Sequence, residues 1–374
     1  MIKPRCSNLL ALGGVCFILI CCNKFSWDVI IYMESELKNY INEIDNAEKL
    51  PKKKKKYYKN TAKEIYNAGF PIILNSYHLS NLSGIRWNIL RNIINDSTKY
   101  YHKFYITKKD KISKREILAP SDELSHVQKY IKDSILENVK INSCSYGFTK
   151  NKNIKMNAEQ HLYSEVVLNI DLKDFFPSID SQRIYYIFNK ICKYDKTLSY
   201  CLTRIVTYQN RLPQGACTSP IISNIVAYKL DYRLSKLAQK NNIKYTRYAD
   251  DITFSGNSNI ITKKLYSLIK KIIEEEGFKV NEKKVHFSSK SFRQEVTGLI
   301  INNDKVTVNS KYVKKIEQEL YYIKKYGLEN HIKYAEIKNG FYLEHLKGKI
   351  MFVWSIDKEK GNKLLSIFND LNLI

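Results

Sequence analysis

The sequence predicts an α+β fold with an antiparallel sheet, and three observations carry that expectation. Val166–Asp171 (V-V-L-N-I-D) is a continuous apolar run ending in an acid, the pattern of a buried strand. Two β-rich runs within residues 243–255 meet at Asp250-Asp251, which reads as a hairpin with acids at its tip. Ile260 to Gly277 has the spacing of an amphipathic helix, and the tail from Ser310 onward is mostly helical and basic.

The remaining elements follow in chain order. Residues 34–70 read as helical and basic, with Lys52 to Lys56 an unbroken run that is either a solvated patch or an RNA contact. Residues 72–150 mix helices with short strands, and Tyr101–Ile106 with Arg115–Leu118 reads as a hairpin. A helix is expected over Ser181 to Lys193, capped by Ser178 or Asp180, and a second after Pro220. Val296–Ile301 and Lys305–Val308 read as a further strand pair around Asn302-Asn303-Asp304. No internal repeat or low-complexity tract interrupts the chain.

Composition narrows the function. Of 374 residues, 62 are Lys or Arg and 37 Asp or Glu, a formal net charge of +25, so a polyanionic partner is expected: nucleic acid or an anionic membrane surface. At 44% apolar with few Gly and Pro, the chain is neither disordered nor collagen-like, and its length suits two or three subdomains. Its 28 Tyr suit a base-stacking surface, although an AT-rich coding sequence also enriches Tyr and Lys. The eight Cys show no C-x-x-C pair and no zinc spacing, so they read as buried thiols of a reducing compartment.

The amino terminus stands apart. Lys3 and Arg5 precede an apolar run, Leu9 to Cys22, short for a membrane span and lacking the small residue expected before a cleavage site. Three readings stay open: a start placed too early, with Met33 the true beginning; a hydrophobic anchor; or export.

Three carboxylates carry the chemistry: Asp171 at a strand end, Asp250 and Asp251 at a hairpin tip. Like charges held together raise one another's pKa unless a cation compensates. Hard oxygen ligands suit Mg²⁺, and two such ions about 3.5–4 Å apart can activate an attacking hydroxyl and stabilise a leaving pyrophosphate. An isolated Asp-Asp more often merely serves a turn; the surroundings argue otherwise here.

Tyr248-Ala-Asp-Asp251 resembles the Y-x-D-D box of reverse transcriptases, and Asp171 followed by Phe175-Phe176 resembles their first palm motif. Leu212-Pro-Gln-Gly-Ala-Cys-Thr-Ser-Pro220, with Asn224, resembles the second, in the right order at spacings of about 40 and 35 residues. The resemblance covers roughly residues 85–350 and implies a right-hand polymerase of fingers, palm and thumb, its antiparallel palm sheet carrying the YADD hairpin. The implied organisation is an apolar extension over 1–32, a basic helical region over 33–84, fingers over 85–165, palm over 166–308 and thumb over 309–374.

By that resemblance Asp171 and Asp250 bind two Mg²⁺ ions, Asp251 assists, and the Leu172 carbonyl completes one site. Phe176 matches the steric gate whose ring excludes a ribose 2′-OH, while Gln214 and Gly215 lie against the incoming nucleotide. Lys108 and Arg115, on a basic fingertip hairpin, hold the triphosphate, Arg through its planar fork. Gly277-Phe-x-x-Asn281-x-x-Lys284 matches a further palm motif whose Lys protonates pyrophosphate. The family usually has Thr after that Lys; Val285 stands here, leaving Lys283 and Lys284 both open.

Asn157-Ala158-Glu-Gln-His161 and Val296-Thr297-Gly298 resemble the N-A-x-x-H and V-T-G boxes of retron reverse transcriptases, and Ser145-Tyr-Gly-Phe148 fits the same pattern. This implies an RNA-directed DNA polymerase that uses dNTPs and is primed from a guanosine 2′-OH of its own structured non-coding RNA (msr-msd). The product is a branched RNA–DNA hybrid (msDNA), made in the cytoplasm as part of anti-phage defence with an effector protein. Lys311, Tyr312, Lys314, Lys315, Tyr321 and Tyr322 in the basic thumb are candidate RNA contacts, a solvated Lys face being the alternative. About 75 residues follow the V-T-G box, too few for a thumb plus an RNase H domain, so template removal is expected to fall to another enzyme. The rivals are a group II intron or diversity-generating reverse transcriptase, a non-catalytic RNA-binding scaffold, and a membrane-anchored basic protein resting on residues 9–22.

Overall fold

The structure, a computed structural model, describes residues 27–107, 114–302, 304–337 and 340–371. Lys108 and the apolar run at residues 9–22 lie outside the described residues. The chain forms two compact units, one from the part up to Lys140 with Ile179–Ile222, the other from Ile141–Ser178 with Ser223 onward.

In the first unit two helices, Trp27–Asn46 and Lys52–Asn67, pair with one another. The Lys run opens the second of them on its solvent side; Lys55 donates to the Asp45 carbonyl, and Lys59 pairs with the Asp45 carboxylate. The expected hairpin forms from β1 (Tyr101–Thr107) and β2 (Lys114–Pro120), antiparallel with Tyr101 opposite Pro120. Ser121 caps the helix Asp122–Ser134, whose Gln128 donates to the Tyr101 hydroxyl at 2.8 Å and to the Ile205 carbonyl at 2.9 Å. One fully buried amide thus ties hairpin and helices together.

The helix expected over Ser181–Lys193 is regular only over Ser181–Tyr186 and continues as a π-helical turn, Ile187–Ile191. Of its two candidate caps Asp180 serves, accepting from the Arg183 amide at 2.9 Å. Ser178 donates instead to the Phe175 carbonyl.

The second unit is built on a four-stranded antiparallel sheet in the order β4 (Lys244–Tyr248), β5 (Asp251–Gly256), β3 (Val166–Asp171), β6 (His286–Ser289). Strand β3 is internal, which is why it reads as an uninterrupted apolar run: Val167, Leu168 and Ile170 are all buried. Burial of each such side chain stabilises the fold by about 2 kcal/mol. The amphipathic helix forms over Lys263–Glu275, shorter than expected because Thr262 caps its start and Gly277, at φ 78°, follows its end.

The expected strand Val296–Ile301 does not exist as one piece. It is broken into β7 (Glu295–Val296) and β8 (Leu299–Ile300), which pair with each other and with β9 (Thr307–Val308). Thr297 at φ 48° and Gly298 at φ 86° form the two-residue turn between them, both in the left-handed region that a primed hairpin turn requires. Four helices follow, Ser310–Tyr326, Leu328–Tyr334, Tyr342–Ile356 and Lys358–Asn369, and their apolar faces close a core with Ala158, Val296 and Leu299.

Among the described cysteines Cys192 and Cys201 are buried, Cys144 and Cys217 only partly so, and all four are free thiols. Burial pushes the Cys144 thiol up to about 12, so it stays protonated. Among the described residues no helix is long and apolar enough to cross a membrane.

Candidate active site

The three acids come together through strand register. Asp171, the last residue of β3, stands opposite Asp251, the first of β5, and the Leu172 amide donates to the Asp250 carbonyl at 3.0 Å. Tyr248 and Asp251 pair across the hairpin, leaving Ala249 and Asp250 as its two-residue turn. Ala249 sits at φ 57°, a conformation that costs a residue with a side chain about 1 kcal/mol or more.

That turn is held by a buried network. Arg247 is fully buried and grips Asp231 with two bonds of 2.7 Å, from Nε to Oδ1 and from Nη2 to Oδ2. Its Nη1 donates to the Ala249 carbonyl at 3.0 Å and to Asn224 Oδ1 at 3.1 Å. The Tyr245 hydroxyl also donates to Asp231, at 2.8 Å. Burial works against the guanidinium charge, yet Asp231 holds its pKa above the ordinary value. On the other face of the hairpin, His161 places Nε2 2.7 Å from the Thr246 hydroxyl and Nδ1 2.7 Å from the Ser255 hydroxyl, bridging β4 and β5. Complete burial lowers its pKa to about 3, so the ring is neutral.

A short ladder beyond β3 brings in the Gly277–Lys284 motif. The Asn281 amide donates to the Asp171 carbonyl and the Lys173 amide to the Lys279 carbonyl, each at 2.8 Å. Two side chains then reach the Asp171 carboxylate: Asn281 Nδ2 lies 3.0 Å from Oδ1 and Lys284 Nζ 2.7 Å from Oδ2. Of the two lysines the sequence left open, Lys284 is therefore the one against the acids. The bond to Asp171 raises its pKa, partial burial opposes that, and the charges of Asp171, Asp250 and Asp251 add to the rise.

The donor set, three carboxylates, is all hard oxygen, the chemistry that suits a hard divalent cation. Among the described residues no three His, Cys, Asp or Glu side chains are already arranged to hold an ion. Both Asp171 oxygens are turned to Asn281 and Lys284. Metal binding thus asks the Asp171 carboxylate to re-aim.

Phe176 is half-buried against Phe175, with ring centroids 5.6 Å apart. In the first unit, Arg115 is exposed on β2, and the Gln214 carbonyl accepts from the Leu118 amide at 2.8 Å. Gly215 sits at φ 128°, where an added Cβ would lie 2.7 Å from the Leu118 carbonyl oxygen. Close approach of its own backbone to β2 already requires glycine there, a reason independent of any nucleotide. Asn157, Ala158, His161 and Val296 are buried, so these box residues face the interior. Lys311, Tyr312, Lys314, Lys315, Tyr321 and Tyr322 are all exposed on the helix Ser310–Tyr326, which buries Val313, Ile316, Leu320 and Ile323 on its opposite face.

Arg247 and Asp231 are the site residues that motif reasoning passed over. The available signal was an Arg between the Thr and Tyr of a β-rich run, since a charge buried there demands a partner.

The chain is similar to several known proteins. A solved telomerase structure from Candida albicans, in complex with a TWJ fragment of telomeric RNA, gives a loose likeness: TM-score 0.41 and 11% identity over 76% of this chain and 67% of that one. The retron Ec86 reverse transcriptase of Escherichia coli is 33% identical over 84% of this chain and 94% of its own length. The retron Mx162 reverse transcriptase of Myxococcus xanthus is 31% identical over 78% of this chain and 64% of its own. The family described as reverse transcriptase (RNA-dependent DNA polymerase) matches residues 106–318, more than half of the chain. With acids, fold and relatives in agreement, the chain belongs to the retron reverse transcriptases: it is an RNA-directed DNA polymerase, a metal-dependent nucleotidyltransferase that copies an RNA template.

Proposed function

We propose that this polymerase starts DNA synthesis from a guanosine 2′-OH of its own structured non-coding RNA and copies part of that transcript into a branched RNA–DNA hybrid. The observation that carries the catalytic half of this reading is the register of Asp171 against Asp251, with Lys284 at their edge. Asp171, Asp250 and Asp251, with the Leu172 carbonyl, would hold two Mg²⁺ ions, which supply charge stabilisation of the attacking and leaving oxygens. Lys284, kept protonated by its acidic neighbours, donates its proton toward the departing pyrophosphate. Phe176 excludes ribonucleotides by the bulk of its ring, and Lys108, Arg115, Gln214 and Gly215 bind the dNTP.

The fingers are assigned to 85–165, the palm to 166–308 and the thumb to 309–374. The exposed Lys and Tyr side chains of the thumb helix suit a structured RNA, phosphates on the ammonium groups and loop bases on the rings. The reading extends to a cytoplasmic anti-phage module in which an effector protein joins the enzyme and its msDNA. The test is expression of the protein with its flanking DNA, followed by extraction of small nucleic acids. A DNA species that shortens on RNase treatment and keeps a 2′-linked guanosine is the expected result. A linear cDNA without a branch contradicts the priming step.

A further inference from the structure

The loop Ser145–Phe148, in which Ser145 and Gly147 are buried and Phe148 is exposed, is fastened to the YADD turn. The Tyr146 amide donates to the Arg247 carbonyl, and Asn224 Nδ2 donates to the Gly147 carbonyl, each at 2.8 Å. Gly147 lies so close to the turn that an added Cβ would stand 2.6 Å from the Ala249 nitrogen. The next residue, Phe148, adopts φ 58°, a left-handed conformation that is a true outlier for a bulky side chain. Burial does not account for this, because the residue is 49% exposed. Strain held by surrounding bonds, on an aromatic residue left at the surface, points to a task for the ring.

The ring's neighbours indicate which task. Its centroid lies 6.2 Å from that of Phe176 and 6.4 Å from that of Tyr248, both within the range of interacting aromatic pairs. Phe176 is backed from the interior by Phe175, which in turn packs on Phe278 at 5.5 Å. Phe176 is thus held on two sides, by Phe175 within and Phe148 without. Through Tyr248 and Gly147, the outer support is referenced to the turn that carries Asp250 and Asp251.

We propose that Phe148 is a positioning residue for sugar discrimination: it stops the Phe176 ring from yielding to a ribose 2′-OH and fixes that ring relative to the acids. This rests on Phe176 being the gate. A ring backed on one side only can rotate away from an intruding hydroxyl. A second aromatic contact removes that freedom without touching the nucleotide.

The test compares dATP with ATP in single-nucleotide addition on an RNA template by the full-length chain. Phe148→Gly removes the ring while suiting the left-handed backbone, so folding is preserved, as a thermal melt checks. It should raise the ATP/dATP ratio of kcat/KM by about 3- to 10-fold, the span one aromatic pair can supply. Phe148→Tyr should restore the wild-type ratio, and Phe176→Ala should raise it further. An unchanged ratio in Phe148→Gly while Phe176→Ala admits ATP overturns the role of Phe148 and leaves the gate standing. Equal loss with both nucleotides also overturns it, as a merely structural effect. An unchanged ratio in both variants removes the gate itself.

Discussion

Lys284 Nζ lies 2.7 Å from Asp171 Oδ2, an ammonium set directly against the acid that ends the central strand. Lys284→Met should lower the rate of single-turnover nucleotide addition by about 100-fold, the lower end of what a positioned general acid contributes. RNA affinity should stay near the wild-type value, and Lys283→Met should retain wild-type synthesis. A Lys284→Met enzyme working at full rate would remove Lys284 from the reaction.

The Arg247–Asp231 pair beneath the turn is fully buried on both sides. Arg247→Met strands a carboxylate in the interior and should destabilise the fold by about 3–5 kcal/mol in urea denaturation. Adding Asp231→Leu should recover much of that loss, because no unpaired charge remains. A single variant as stable as wild type would show that the network carries no weight.

His161 gives a pH signature. Its pKa falls from 6.5 to about 3 on folding, so the unfolded chain binds a proton that the folded chain refuses. The stabilisation is complete above pH 6.5 and is lost as pH falls toward 3. Between pH 7.5 and 5 this one group should remove about 2 kcal/mol of stability. The difference in slope between wild type and His161→Gln isolates it. Identical slopes would contradict a buried, neutral histidine.

Charge on the thumb helix should appear in salt dependence. RNA affinity should fall linearly on a log–log plot, with a slope of about 0.7 for each phosphate neutralised. Replacing Lys311, Lys314 and Lys315 together by Ala should reduce that slope by about 2 if each meets one phosphate. A flat response in the wild type would mean that the basic surface does not meet RNA.

How far these features could be read from the sequence depended on range. The YADD hairpin and strand β3 were legible because β-rich runs, an unbroken apolar run and a terminal acid are local signals. Their meeting was legible only through the motif resemblance, since nothing local pairs residue 171 with residue 251. The Val296–Ile301 segment misled because Val, Leu and Ile favour strands on both sides, and the turn hides in a Thr that takes a glycine-like conformation beside Gly298. Gly215 was read as lying against the incoming nucleotide; that its backbone is also pressed to Leu118 is a packing relationship the sequence does not show. The Arg247–Asp231 pair was invisible because a strand and the helix Tyr228–Lys240 must first pack before either charge acquires its partner.

The proposed chemistry rests most directly on the shared work of Asp171, Asp250 and Asp251. RNA-templated extension should be measured for Asp250→Asn with Asp251→Asn, alongside RNA binding by the same protein. Loss of all detectable DNA product with RNA affinity intact is the predicted result. DNA synthesis continuing at the wild-type rate would contradict it.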